Sequence, residues 1–143
     1  MRIYCKKPEK PYHVLSEWVH RLGLVDWAIT LHPDVPEAGM SLDNVTGDVD
    51  YNETSKTARI DILRECDFGD RVVPFNWEKT LIHELLHLKL CLVADVSDPL
   101  QERYMHQIID DMARALYEAK ICGTGGFEYK NGEECEEVQN ESN

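Results

Sequence analysis

The run WEKTLIHELLHLKLCLV, residues 77–93, decides how this chain folds. Its leucines, isoleucine and valine fall on nearly every side of a helical wheel, and charge enters only at Glu78, Lys79, Glu84 and Lys89. That pattern predicts a helix enclosed by the rest of the domain. Asn76, just ahead of it, has the chemistry of an N-cap. Inside this apolar run stand His83, Glu84 and His87. Each buried polar side chain left without a partner costs about 1–3 kcal/mol, so two imidazoles and a carboxylate in a dry helix need a shared solution.

A divalent metal ion is such a solution. Residues four apart in a helix sit roughly 40° apart around the axis and roughly 6 Å along it, so His83 and His87 can point at one ion from one face. Glu84 is turned roughly 100° from His83, beside the ion rather than on it. The spacing H-E-x-x-H therefore separates two ligands from one general base.

Work outward from this helix and the neighbouring elements follow. After the break at DVSDP, residues Asp98, Pro99 and Gln101 supply a cap, a proline at N1 and a capping-box partner, predicting a helix over about 99–121 closed by Gly123. Glu102, His106, Ile109, Ala113 and Leu116 form one stripe along it. The lower part of the stripe is apolar and faces the core, which carries Glu102 and His106 inward. Glu102 is the first candidate for a third metal ligand and His106 the second, the other being left to face substrate or to support a ligand. Asp95, in the loop after the first of these helices, is placed to accept a hydrogen bond from a ligating imidazole. Cys91 lies too far along the axis to join the ion and reads as core sulfur, while Asp110 and Asp111 read as solvated or helix-pairing charges.

Upstream, Val14, Leu15, Trp18, Val19 and Leu22 predict a first helix over roughly 11–22, stopped at Gly23. DWAITLHP, VTGDVDYN and TARIDIL alternate as half-buried strands, with the turn-like NETSK between the last two, and read as a small antiparallel or mixed sheet. Helix, sheet and two helices in that order, segregated rather than alternating, give an α+β fold. At 143 residues the chain is expected to form one domain over 1–122, followed by an acidic tail over 123–143.

Composition bounds the function. A net charge of −12 repels a phosphate backbone, so no nucleic-acid partner is expected. That charge also weighs against a DNA-associated protease. No stretch approaches the roughly 20 apolar residues of a membrane span, and the N-terminus lacks a signal-type apolar core. Five cysteines without a C-x-x-C pair fit a reducing, cytoplasmic setting.

Residues 83–87 resemble the zinc motif of the zincin metallopeptidases, and Glu102 with His106 on a following helix resembles the glutamate-ligand arrangement of their thermolysin-like branch, the gluzincins. The order of LGLVDWAIT, TARIDIL, TLIHELLHLKL and ERYMHQIIDDMARAL is similar to that of small phage- or prophage-borne metallopeptidases, over roughly residues 10–121. No Met-turn or extended histidine signature is present, which excludes the metzincin branch. The resemblance implies a zincin-like fold, Zn²⁺ on His83, His87 and Glu102, Glu84 as catalytic base, and a peptide or protein substrate. It also implies that a strand ahead of the active-site helix lies at the sheet edge to receive that peptide, the place TARIDIL (57–63) holds in the order. The competing reading is a catalytically idle zinc-binding interaction module, in which Glu102 and His106 both ligate and close the shell.

Overall fold

The computed structural model describes residues 10–69, 74–93 and 97–122, and the backbone of residues 2–5. The described elements are β1 (Arg2–Cys5), α1 (Lys10–Arg21), β2 (Ala28–Val35), β3 (Gly47–Asn52), β4 (Thr57–Leu63), α2 (Trp77–Leu90) and α3 (Pro99–Ile121), with single 3-10 turns at Glu37–Gly39 and Glu65–Asp67. The fold is α+β. Asp95 and the acidic tail over 123–143 lie outside the described residues.

The helix signals act where the sequence puts them. α1 ends in a left-handed residue, Gly23 at φ 67°, with Gly23 N–H bonded to His20 O and Leu24 N–H to Val19 O. That is a Schellman stop, and the positive φ is why glycine stands there. The Asn76 side chain accepts from Lys79 N–H at 3.0 Å and caps α2, and Asp98 accepts from Leu100 N–H at 2.9 Å and caps α3.

The sheet decides one open alternative and corrects one expectation. Its order is β1-β2-β4-β3, with β1 parallel to β2, β2 parallel to β4, and only β3 antiparallel to β4. It is mixed, one of the two forms that the sequence allowed. A strand precedes α1, so β1-α1-β2 is a crossover unit. Residues 36–46 then carry the chain past the place β4 will take, so that β3 forms the rim and β4 turns back between it and β2. TARIDIL is therefore an interior strand, and the edge beside α2 is β3.

The interior position of β4 shows in its burial, since Asp61 and Leu63 on the second face are buried along with Ala58, Ile60 and Ile62 on the first. Asp61 survives there on ionic partners. Arg59 donates to it twice, at 3.0 and 2.7 Å, and His32 Nδ1 on the neighbouring strand lies 2.6 Å away. Burial by itself raises the Asp61 carboxyl, but the bonds from Arg59 and His32 outweigh it and hold it below the usual carboxylate range.

One core unites these elements. Leu15, Trp18 and Val19 of α1, Ile29 and Leu31 of β2, Ala58, Ile60 and Ile62 of β4, and Ile109 and Ala113 of α3 close around Leu81, Ile82, Leu85, Leu86 and Leu88 of α2. At about 1.5–3 kcal/mol each, those five α2 side chains contribute roughly 10 kcal/mol, enough to hold ionisable neighbours in place against their desolvation. β2 carries a bulge between His32 and Val35, and there the Pro33 carbonyl accepts from Trp77 Nε1 at 2.9 Å, tying the first residue of α2 to the sheet. Among the described residues no helix is long and apolar enough to cross a membrane.

Asn76→Ala removes the α2 cap without touching the core and should destabilise the protein by about 1 kcal/mol in urea unfolding, with the slope against denaturant unchanged.

Candidate metal centre

α2 presents His83 and His87 on the side that faces α3, and α3 brings His106 to meet them. One ring nitrogen from each of the three lies within 4.8 Å of the others. The Nε2 atoms of the two α2 imidazoles lie 3.1 Å apart. The His106 ring stacks on His83 with centroids 5.6 Å apart and meets His87 edge-on at 4.8 Å.

Protonation follows from the neighbours. His83 Nδ1 lies 2.7 Å from Asp110 Oδ1. A carboxylate only accepts, so Nδ1 carries the proton and Nε2 keeps its lone pair for the cluster. Burial holds the His87 imidazole down to about 4, with His83 and His106 adding to the effect. Burial also lowers His83, against the opposing pull of Asp110. Both rings on α2 are therefore neutral near pH 7, the form in which imidazole donates to a metal.

The donor set fits a divalent metal ion. Bonds of about 2.0–2.1 Å in a tetrahedron put two nitrogens roughly 3.3 Å apart, close to the 3.1 Å separation here. Three imidazoles leave one corner, and the trio borders a cleft of about 910 Å³.

Glu84 is the buried carboxylate of the site, 5% exposed. Among the described residues its carboxylate has no hydrogen-bond or ion-pair partner. Burial, followed by the charges of Asp48 and Asp110, pushes it up to about 8. The first residue of β3 closes over it: a Cβ on Gly47 would lie 2.7 Å from Glu84 Oε1 and 2.7 Å from Thr80 Cγ2. Only glycine lets the strand backbone come this close.

Of the residues singled out by sequence, His83, Glu84 and His87 are brought together, and the geometry adds His106, the second candidate, as the third member. Glu102, the first candidate, lies one turn earlier on α3; it is exposed and lines the cleft without belonging to the trio. Cys91 packs against the core and bonds to Leu88 O, while Tyr104 is exposed and does not line the cleft. Asp110, read from sequence as a solvated or helix-pairing charge, pairs α3 with α2 through His83, and its place in the site is what was missed. Its signal was present, because it follows His106 by four as His87 follows His83. Compared with protein families, curated proteins and solved structures, the chain matches none.

The Glu84 carboxyl sets a pH signature in chelator-treated protein. Its value is about 8 folded against 4.5 in the open chain, so between those limits the folded state holds a proton that the unfolded state releases, and stability falls as pH rises. Glu84→Gln removes this loss. In thermal melts the variant should match the parent near pH 5 and exceed it by roughly 2 kcal/mol or more at pH 9.

Proposed function

We propose that this protein is a zinc-dependent metallopeptidase in which His83, His87 and His106 hold the ion and Glu84 is the base. The observation that carries the reading is the convergence of three imidazole nitrogens at an open cleft that Glu84, a largely buried carboxylate, also lines. A structural zinc shell is closed by four protein ligands, whereas a catalytic one keeps a place for solvent. The three-nitrogen set is of the second kind, which favours hydrolysis over the idle module.

A bound Zn²⁺ supplies Lewis acidity, bringing the pKa of a water to about 7 and polarising the scissile carbonyl. The chain supplies the rest. Asp110 holds the His83 ring by its Nδ1 proton, fixing both tautomer and direction. With a cation held by the three imidazoles, Glu84 would be ionised despite its burial, and one of its oxygens would accept a proton from the attacking water. The same carboxyl then hands that proton to the departing amine nitrogen. Glu102 and Asp48 border the cleft as acidic neighbours of the substrate. The outer edge of β3 pairs with an extended peptide and lays the scissile bond along the cleft, in reach of Glu84 by way of Gly47. Cys66 and Cys91 are free thiols, in keeping with a cytoplasmic enzyme.

Elemental analysis of protein purified without chelator should give one zinc per chain. His106→Ala should lower zinc affinity by at least about tenfold, whereas Glu102→Ala should keep the metal; the reverse result would return the third position to the glutamate. Glu84→Gln should keep zinc and lose about 100-fold or more in peptide hydrolysis, and near-parental turnover would remove it from the base role.

A further inference from the structure

α2 and α3 wall the cleft in a matched register. His83 of α2 meets Asp110 of α3, and His87 meets His106, so a step of four up one helix answers a step of four down the other. One further step sets Lys79 level with Arg114, and one step the other way sets Cys91 level with Glu102. Lys79, Arg114 and Glu102 all line the cleft. Its charge is thus polarised along the helices, with two cations one turn beyond His83 and an exposed carboxylate at the far end. Both cations are available. In a chain of net charge −12, the Lys79 side chain has no hydrogen bond or ion pair among the described residues. Arg114 gives one N–H to Asp111 at 2.7 Å and keeps the other donors of its guanidinium, while Asp110, one turn before it, is engaged with His83. Phe75 lines the same end of the cleft, edge-on to Phe68 at 5.2 Å.

A substrate strand acquires a direction here. β3 runs alongside α2 in the same sense, since Gly47 lies against Thr80 and Glu84, and Tyr51 lies near enough to Cys91 to feel its charge. A peptide added antiparallel to β3 enters from the Glu102 end and leads its C-terminus toward Lys79 and Arg114. One helical turn of four residues is roughly 6 Å and an extended residue roughly 3.4 Å, so these cations meet the chain one or two residues past the ion. Two cations at that point match a carboxylate, and the guanidinium fork can hold both of its oxygens.

Resting on the hydrolase reading above, we infer that Lys79 and Arg114 receive the free C-terminal carboxylate of the substrate, so that the enzyme releases the last one or two residues of a peptide, with the final side chain seated against Phe68 and Phe75. Zinc-loaded full-length protein can be given two peptides of one sequence ending in phenylalanine, one a C-terminal acid and the other a C-terminal amide. The acid should be cut within its last two residues with kcat/KM at least about tenfold above that of the amide. Lys79→Gln combined with Arg114→Gln should bring this ratio toward one, with zinc content and circular dichroism at parental values. Equal cutting of the two forms, cleavage well inside the chain, or a ratio that survives the double substitution overturns the inference. An amide peptide with glutamate in its last position that is cut as fast as the acid also overturns it, and assigns the cations to a side-chain carboxylate. If neither peptide is cut, the hydrolase reading falls and binding decides the inference: N-acetylphenylalanine should bind the zinc-loaded parent at least about tenfold tighter in calorimetry than it binds the double variant, and equal affinity overturns it.

Discussion

The structure turns on a conflict inside α2. The helix must be buried, because its leucines close the core from sheet to α3, yet it carries two imidazoles and a carboxylate that water would otherwise solvate. The conflict is resolved from outside the helix. Asp110 reaches across from α3 to occupy one nitrogen of His83, His106 joins the remaining lone pairs, and Glu84 is left against the backbone of β3. None of these arrangements exists in α2 alone, so the docking of α3 and the assembly of the site are a single event.

The same logic explains why α2 and not a loop bears the chemistry. Side chains on a helix whose neighbours are locked in a core have little freedom to rearrange, and ligand geometry tolerates only a few tenths of an ångström. Burial also sets the electrostatics in advance. It keeps the α2 imidazoles neutral, and it holds the Glu84 carboxyl in its protonated form near neutral pH. A desolvated carboxylate beside an electron-pair cluster is a poor arrangement for stability and a useful one for proton transfer.

What could be read from sequence was whatever depends on local physics. The caps at Asn76 and Asp98, the stop at Gly23, the enclosed character of α2 and the placing of His83 and His87 on one face with Glu84 beside them all follow from spacing within one element. The order of strands did not, because TARIDIL and VTGDVDYN carry the same alternation whether they lie at an edge or inside, and nothing in either reveals that residues 36–46 pass over the place of β4. β1 is four residues long, too short to display a period. The third position of the metal set was ambiguous for a related reason: Glu102 and His106 share a stripe, and which of them meets His83 depends on how far α3 slides along α2, a quantity with no local signature. Asp61 was seen only as an outward charge, since its burial is created by strands distant in sequence.

The irregularity in β2 sets the aim of the whole centre. Trp77 is hinged on the Pro33 carbonyl that the bulge exposes, and His83 lies six residues farther, roughly 9 Å along the helix. Over such a lever arm a tilt of about 10° swings the imidazole by roughly 1.5 Å, several times what a metal bond accepts. A kink in a strand that does not line the cleft thus behaves as the sighting screw of the imidazole cluster, and a lineage that straightened it would have to re-aim His83 and His87 together.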